Sequence, residues 1–369
     1  MLIGIDASRA VAAELTGTEH YSLRVIEALL EIGAAHRFRL YAPREPSLAT
    51  AERLSAGEWR IIPLPRLWTH LRLSLELLQN PPDALFVPAH VLPLVHRRRG
   101  VVTLHDLGYL HYPGAHTLWQ RLYLDWSTRW SARVARRVIV DSCATRNDLI
   151  AAYNTAARKV VVAHPAGRDL HLLGNPSDDL SPLARWGLGT GFVLAVGTLQ
   201  PRKNLIVLLE AFARLTGEGR LPAEARLVLA GRPGWLSDAI LAHANASDLR
   251  GRVIVTGYVS DRELAALYRQ AQVLAFPSLY EGFGLPVLEA MQCGLPVICA
   301  NTSSLPEVAG DAALLVPPDD VAGWQSALER VYHEPELVRE LVERGLRQAE
   351  RFSWRRCART ILDVIEELG

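Results

Sequence analysis

The sequence predicts an α/β protein built from two doubly wound parallel-sheet domains, and three observations predict it. The chain has 369 residues, which is more than one hydrophobic core usually serves, so two domains of roughly 150 to 200 residues are expected. Short apolar runs alternate with helical patterns through both halves, as in parallel sheets covered by helices on both faces. An aperiodic stretch rich in Gly, Pro, Ser and Asp separates the two series.

The first half contains five apolar runs with the length and composition of buried strands. They read LIGIDA, FRLYAP, DALFVPAH, VVTLHDL and RVIVDS. Helical patterns lie between them, in YSLRVIEALLEIG and from about Trp119 to Arg136. We therefore predict a Rossmann-like N-terminal domain over residues 1–175.

The second half repeats this rhythm with six more apolar runs. They read GFVLAVG, ARLVLAG, RVIVTG, QVLAFPS, PVICA and ALLVPP, each followed or preceded by a helical pattern. A second Rossmann-like domain is predicted over residues 186–352. The remaining stretch, residues 353–369, is predicted to be a helix, and the two domains are expected to face a ligand across a cleft.

Composition points to a globular enzyme inside the cell. Hydrophobic residues make up 49% and charged residues 21% of the chain, which is far from the composition of disordered proteins. The N-terminus shows no basic segment before a hydrophobic stretch, and no apolar run reaches the roughly 18 to 20 residues that a bilayer span needs. We expect a cytoplasmic protein.

Charge is distributed unevenly along the chain. Residues 1–170 carry 21 Arg and Lys against 15 Asp and Glu, a difference of +6, whereas residues 171–369 carry 19 against 24, a difference of −5. A basic half suits an anionic partner such as a phospholipid surface or a phosphate-bearing substrate. An uneven but merely solvated surface explains the same numbers equally well.

The most informative stretch runs from residue 276 to residue 320. A predicted strand leads to the loop Glu281-Gly282-Phe283-Gly284, and a helix with Pro286 near its first position follows. Glycines allow a ligand to approach the backbone closely, and the amide groups and dipole of a helix N-terminus attract an anion. This loop is therefore a candidate diphosphate site.

Two carboxylates and two cations belong to the same candidate site. Glu281 lies in the loop and Glu289 one turn into the helix, where both could accept hydrogen bonds from sugar hydroxyls. Arg202 and Lys203 stand between a strand and a helix, where a pair of cations is unfavourable unless an anion binds. Taken alone, the two carboxylates are more simply explained as solvated surface charge, and the Arg-Lys pair is explained equally well as a surface basic pair.

These motifs together resemble the large group 1 family of retaining glycosyltransferases, also called family four, which have the two-domain GT-B fold. The resemblance rests on EGFGLPVLEAMQCGLPVI, on SSLPEVAGDAALLV and on VGTLQPRKN, and it covers essentially the whole chain. It implies that Glu281 and the backbone of Gly282, Phe283, Gly284 and Leu285 meet the donor sugar and phosphate. It also implies that Glu289 binds the nucleotide ribose and that Arg202 and Lys203 neutralise the diphosphate.

The resemblance implies further donor-binding residues. Gly17, in TGTEHYSL, matches a glycine loop that closes over the phosphates, and His105, in VVTLHDL, matches a histidine beside the donor sugar. Val259 matches the segment whose backbone meets the nucleotide base. Thr198 stands where many members have Arg, so Arg202 is expected to supply the second cation. The final helix is expected to cross back to the first domain.

The expected activity is transfer of a hexose from a nucleotide diphosphate sugar to a saccharide or lipid-linked acceptor with retention, and GDP-mannose is the preferred donor. The chain has no Walker loop, no His-Glu-x-x-His and no Asp-x-Asp triplet, so no metal or other cofactor and no nucleic-acid partner are expected. His105, Arg202, Lys203 and Glu281 are the expected catalytic group. A nucleotide-sugar 2-epimerase and a non-catalytic nucleotide-sugar-binding protein remain alternatives.

A peripheral contact with the inner face of the membrane is a further expectation. The stretches LPRLWTHLRLSLELL and LWQRLYLDWSTRWSARVARR mix Trp, Leu and Arg, as membrane-surface sites do. Trp126, Trp130 and Arg133 fall at helical spacing. The same stripe is also typical of a helix with one buried face and a solvated rim, and the sequence leaves both interpretations open.

Overall fold

The computed structural model describes residues 1–12, 17–64, 67–89, 91–96, 99–115, 117–174 and 180–368. The chain divides into two compact units. Unit 1 comprises Met1–Leu110, His116–Pro165 and Phe352–Gly369, and unit 2 comprises His111–Ala115 and Ala166–Arg351. The chain thus passes between the units at Pro165 and Ala166, whereas the sequence patterns extend the first domain to residue 175.

Unit 1 is built on a parallel sheet that has seven strands within the described residues, in the order β3-β2-β1-β4-β5-β6-β7. The strands are β1 Leu2–Asp6, β2 Arg37–Ala42, β3 Glu58–Ile61, β4 Ala84–Val87, β5 Gly100–Leu104, β6 Arg137–Val140 and β7 Val160–Val162. The five predicted runs correspond to β1, β2, β4, β5 and β6. β3 was not predicted, because this edge strand exposes half of its residues and so lacks a continuous apolar run.

Helices cover both faces of this sheet. They are α1 Gly17–Ile32, α2 Leu48–Arg53, α3 Ser74–Gln79, α4 Gly108–His111, α5 Leu118–Val134 and α6 Cys143–Tyr153, with a π-helical turn at Trp68–Leu73 before α3. Local sequence fixes where α5 begins: the Thr117 side chain accepts a hydrogen bond from the backbone of Gln120, whose side chain bonds back to Thr117. The predicted start near Trp119 is therefore correct to within a residue.

Unit 2 is built on a second parallel sheet, with six strands within the described residues, in the order β10-β9-β8-β11-β12-β13. The strands are β8 Phe192–Val196, β9 Leu227–Ala230, β10 Val253–Gly257, β11 Ala271–Phe276, β12 Val297–Ala300 and β13 Ala313–Val316. All six predicted runs of the second half are confirmed as strands. Each reads as a continuous apolar stretch, although the edge strands β10 and β13 are only partly buried.

The helices of unit 2 complete the alternating pattern. They are α7 Leu180–Leu183, α8 Leu205–Gly217, α9 Asp238–Ala244, α10 Asp261–Gln270, α11 Leu285–Gln292, α12 Leu305–Ala309, α13 Val321–His333 and α14 Pro335–Ala349. Ser260 and Glu263 form a capping box that begins α10. Two doubly wound domains are thereby confirmed as the fold class.

The last helix, α15 Trp354–Glu366, packs within unit 1, as predicted. Its residues Ile361, Leu362 and Ile365 are buried, and it lies against α1, where the rings of Trp354 and Tyr21 are 5.7 Å apart. In the described part of the chain, no helix combines the length and the apolar character required to cross a membrane.

Each sheet reverses its strand order at one point, and this positions the candidate site. In unit 2 the reversal lies between β8 and β11, which are hydrogen-bonded neighbours although they are far apart in sequence. Ligands of open α/β sheets bind outside the carboxyl ends of the strands at such a point. The loops after β8 and β11 therefore flank the expected ligand position in unit 2.

Candidate active site

The two loops at the strand reversal of unit 2 carry the predicted cations and the first predicted carboxylate. Arg202 and Lys203 lie in a short helical turn, Pro201–Lys203, between β8 and α8. Glu281 lies in the loop between β11 and α11. The backbone joins the loops directly, since the N–H of Leu279 donates to the carbonyl oxygen of Arg202 at 2.9 Å.

The three charged side chains form one ion-pair cluster. Lys203 Nζ donates to Glu281 Oε1 at 2.6 Å, and Arg202 Nη1 donates to Glu281 Oε2 at 3.0 Å. Arg202 Nη1 also donates to the carbonyl oxygen of Tyr280. Glu281 is 8% exposed. Burial alone would raise its pKa, but the charges of Lys203 and Arg202 outweigh burial and lower the pKa to about 2.

The loop from Gly282 to Leu285 is held by a serine from the next strand connection. The Ser304 hydroxyl donates to the carbonyl oxygens of Glu281 and Phe283, at 2.9 and 2.7 Å. Gly284 has a φ of +106° and ends the loop where α11 begins. A Cβ there would lie 2.7 Å from Leu305 Cδ2, so this turn requires glycine. Leu285 is then the first residue of α11, as the loop-to-helix prediction expects.

Glu289 lies on α11, and its side chain is 1% exposed. Its two carboxylate oxygens accept hydrogen bonds from Arg168, with Nε at 2.7 Å from Oε1 and Nη2 at 2.9 Å from Oε2. The Tyr268 hydroxyl donates to Oε2 at 3.2 Å. Glu289 therefore belongs to a second charged cluster in unit 2, apart from the Glu281 ion pairs.

Two other predicted contacts lie at loop ends. Val259 is the second residue after β10 and precedes the Ser260 cap of α10. Gly17 is the first residue of α1, and a Cβ on it would meet nothing within 4 Å. Of the predicted glycine loop Thr16-Gly17-Thr18, Thr16 falls outside the described residues, and Gly17 and Thr18 begin α1. Val259 lies in unit 2 and Gly17 in unit 1.

His105 directly follows β5 in unit 1, and both of its ring nitrogens face acceptors. Nδ1 lies 2.7 Å from Asp141 Oδ2, and Nε2 lies 3.0 Å from the carbonyl oxygen of Pro88. Two acceptors require two N–H donors, so the geometry fits the imidazolium form. Burial lowers the pKa of His105, but the Asp141 carboxylate outweighs burial and raises it. This arrangement suits a fixed cation better than a proton acceptor.

The structure thus brings Arg202, Lys203, Glu281 and the loop to Leu285 together, and it places Glu289 in a separate cluster of unit 2. Two partners were not predicted from the sequence. Asp141 follows β6, the strand beside β5. Because the carboxyl ends of neighbouring parallel strands lie at the same edge of a sheet, the sequence could have indicated that Asp141 contacts His105. Arg168 lies in an aperiodic stretch and offered no such signal.

No group of three or more His, Cys, Asp or Glu side chains that could hold a metal ion occurs among the residues that the structure describes. The charged groups opposite Glu281 are side-chain cations. This cluster can neutralise a bound anion. Arg202 and Lys203 would turn from the Glu281 carboxylate to the anion, or would contact both.

Two family models match the chain, one on each half. Residues 184–348 match the model described as glycosyl transferases group 1, and residues 15–166 match the model described as glycosyltransferase family 4.

The chain is also similar to individual proteins over its whole length. It is 30% identical to the O-antigen chain mannosyltransferase B of Escherichia coli over 99% of both chains. Among solved structures, it superposes on a sucrose-phosphate synthase from Thermosynechococcus elongatus with a TM-score of 0.76 at 21% identity, covering 100% of this chain and 98% of that one. The Anabaena protein HepE in complex with UDP-glucose gives a TM-score of 0.76 at 17% identity over 99% of both chains.

Proposed function

The chain belongs to the group 1 glycosyltransferases and is a hexosyltransferase, and we propose that it transfers mannose from GDP-mannose to a saccharide or lipid-linked saccharide in polysaccharide biosynthesis. The E. coli relative that aligns with the whole chain is a mannosyltransferase of the O-antigen chain, which supports both the sugar and the type of acceptor. The observation that carries the proposal is the cluster of Arg202, Lys203 and Glu281 at the strand reversal of unit 2.

The proposed reaction replaces one bond at the anomeric carbon with another. The bond from this carbon to the diphosphate oxygen breaks, the acceptor oxygen bonds to the same face of the sugar, and the acceptor proton passes to the departing phosphate oxygen. Negative charge therefore grows on the diphosphate, where Arg202 and Lys203 stabilise it. Glu281 holds both cations in place before the donor arrives and then faces the sugar.

Metal independence is part of the proposal. The two cations and the amino end of α11 supply the positive charge that a divalent ion supplies in enzymes with an Asp-x-Asp triplet. Gly17, His105 and Val259 are proposed as further donor contacts, with His105 acting as a fixed cation because Asp141 and Pro88 occupy its ring nitrogens.

The test is a panel of nucleotide sugars followed by kinetics. We expect GDP-mannose and GDP to raise the melting temperature more than UDP sugars do, and turnover with a mannose-terminated acceptor to persist in excess EDTA. The product linkage, read by NMR, should have the configuration of the donor. No stabilisation by any nucleoside diphosphate would overturn the proposal.

A matched pair of variants tests the site. Lys203→Met should lower kcat by about 100- to 1,000-fold, as removal of one transition-state contact does. Arg250→Gln removes an exposed cation of the same unit and should leave kcat unchanged. Equal activity of the two variants would show that Lys203 does not act on the leaving group.

The peripheral membrane contact is also proposed, and a groove in unit 1 supports it. The groove encloses about 760 Å³ and is lined by five cations that lie at the amino ends of β6 and β7 or beside them. They are Arg133, Arg136, Arg137, Arg158 and Lys159. Trp130 also lines the groove, and its indole N–H has no hydrogen-bond partner among the described residues.

Helix α5, which contributes Trp130 and Arg133 to this groove, also carries exposed apolar side chains. Trp119 is 81% exposed, Leu122 53% and Trp126 44%. Trp119 and Leu122 lie at the start of α5, and the groove lies at its end. A surface that carries both cations and exposed aromatic and leucine side chains suits an anionic membrane. We expect the protein to float with vesicles that contain anionic lipid, and Arg158→Gln with Lys159→Gln to abolish flotation. Recovery of the unaltered protein at the bottom of the gradient would overturn this contact.

A further inference from the structure

A row of three aromatic rings connects the last helix of unit 1 to His105. The centre of the Tyr21 ring, on α1, lies 4.5 Å from the centre of the His105 imidazole, with the two planes 78° apart. The same phenol ring lies 5.7 Å from the indole of Trp354, on α15, at 67°. Both contacts have the edge-to-face geometry that aromatic pairs favour. His105 is therefore packed against α15 through the single intervening ring of Tyr21.

The position of Tyr21 is fixed by burial and by a second contact, with the strand that ends at His105. Tyr21 is 3% exposed, and burial raises the pKa of the phenol, so the hydroxyl stays protonated. That hydroxyl lies 3.4 Å from the hydroxyl oxygen of Thr103, on β5. Tyr21 thus contacts β5 within the strand and the imidazole just beyond the end of the strand.

The Tyr21 ring helps to keep water away from the ion pair of His105 and Asp141. The side chains of this pair are 12% and 8% exposed. A charged hydrogen bond is stronger in surroundings of low dielectric constant than in water. A smaller side chain in place of Tyr21 would open space beside the imidazole, and water that entered there would weaken the pair.

Helix α1 carries both Tyr21 and the predicted glycine of the donor loop. Gly17 is the first residue of α1, and residues four positions apart lie on the same face of a helix. α1 packs along α15, where Cys357 is buried and its thiol donates to the carbonyl oxygen of Ala163 at 3.7 Å. Through Tyr21, the helix that begins at Gly17 is thus fixed relative to His105.

We propose that Tyr21 is a positioning residue of the reaction, which holds His105 between Asp141 and Pro88 while the donor binds. The residue acts through the imidazole: its ring excludes water from the ion pair and prevents His105 from turning away. Trp354 in turn keeps the phenol ring against the imidazole. This inference rests on the proposed function, because His105 is proposed there as a contact of the donor.

Variants of Tyr21 separate this role from a purely structural one. Tyr21→Leu removes the ring and should lower kcat by about 10- to 100-fold, because a displacement of about 1 Å within a site costs turnover on that scale. Tyr21→Phe keeps the ring and should retain at least about half of the wild-type kcat. A wild-type kcat in Tyr21→Leu overturns the proposal.

Phe38→Leu is the matched control, since it removes a buried ring of the same unit that packs against His36. It should lower the melting temperature, as the loss of buried apolar volume does, and leave kcat within about twofold of the wild type. A loss of kcat in Phe38→Leu as large as in Tyr21→Leu would mean that the effect is one of general stability, and the positioning role would be wrong.

A double-mutant cycle tests whether Tyr21 acts through the imidazole. His105→Gln should lower kcat, and the double variant Tyr21→Leu with His105→Gln should have a kcat within about twofold of His105→Gln alone. Losses that multiply would show that Tyr21 acts independently of His105, which contradicts the proposal.

The Nδ1 proton of His105 provides a spectroscopic measurement of the same contact. In a buried bond of 2.7 Å to Asp141, this proton should exchange slowly with water and give a resolved NMR signal in protein that carries isotope-labelled histidine. His105→Gln assigns the signal by removing it. Tyr21→Leu should speed the exchange by about tenfold or more, whereas Tyr21→Phe and Phe38→Leu should not. Unchanged exchange in Tyr21→Leu overturns the proposal.

These measurements distinguish a failure of this inference from a failure of the proposed function. A wild type that transfers no mannose fails the proposed function, while the exchange measurement still tests how Tyr21 holds His105. A wild-type kcat in His105→Gln contradicts the proposed donor contact and the inference that rests on it. A low kcat in His105→Gln together with a wild-type kcat in Tyr21→Leu contradicts only the positioning role.

Discussion

At the scale of single residues, the site is defined by which carboxylate meets which cation. Glu281 divides its two oxygens between Lys203 and Arg202, whereas Glu289 gives both oxygens to one guanidinium. The first arrangement leaves cations that a diphosphate can share. The second fixes an arginine in place. Two glutamates of one motif therefore have different chemical environments.

The low pKa of Glu281 makes stability depend on pH. Its pKa is lowered from 4.5 to about 2 in the folded protein, so the stabilisation is present above about pH 4.5 and is lost as the pH falls toward 2. We expect the free energy of unfolding of the wild type to fall more steeply over this window than that of Glu281→Gln. Urea titrations at several pH values measure both, and parallel curves would contradict the ion-pair assignment.

At the scale of elements, the loops after β8 and β9 are packed backbone to backbone. The N–H of Gly197 donates to the carbonyl oxygen of Ala230 at 2.9 Å, and that of Leu199 to Arg232 at 2.9 Å. A Cβ on Gly231 would stand 2.0 Å from the carbonyl oxygen of Gly197. The loop that carries Arg202 and Lys203 thus depends on glycine in its neighbour.

Gly231→Ala should therefore damage both stability and activity. Overpacking costs about 1–3 kcal/mol, and a displacement of the cation loop by about 1 Å lowers turnover about 100-fold. Thermal unfolding and kcat measure the two effects. Gly217→Ala is the control, because a Cβ there meets nothing within 4 Å, and it should leave both quantities nearly unchanged. A Gly231→Ala variant with normal kcat would show that the loop adjusts freely.

At the scale of the whole molecule, each unit is assembled from separated parts of the chain. The last helix, α15, completes unit 1, and residues 111–115 of the first half belong to unit 2. Within unit 2, His111 stacks on Tyr280 with ring centres 4.6 Å apart, next to Glu281 in sequence. Each unit therefore contains segments from both halves of the sequence.

Removing a buried side chain of α15 should destabilise unit 1. Ile361 is fully buried, and Ile361→Ala should lower the free energy of unfolding by about 2–5 kcal/mol. Arg359→Ala, on the exposed side of the same helix (52% exposed), should change it by less than about 0.5 kcal/mol. Chemical denaturation followed by circular dichroism compares them. Similar values for the two variants would mean that α15 contributes little to the core.

The sequence by itself determined the two domains and most of their strands, because buried parallel strands such as β8 and β11 read as continuous apolar runs. It also identified the Glu281 loop and the Arg202–Lys203 turn as a candidate anion site, because glycine, proline and charged residues at a strand-to-helix turn are typical of such sites. The edge strand β3 was not predicted from the sequence, because half of its residues are exposed.

Only the tertiary structure decided which charged side chains of the site pair with each other. Arg168 and Glu289 are 121 positions apart, and His105 and Asp141 are 36 apart. No local pattern encodes which strand ends become neighbours or which carboxylate a guanidinium reaches, because those contacts arise from strand order and packing. The same reason explains why residues 111–115 lie in a unit that their sequence position does not indicate.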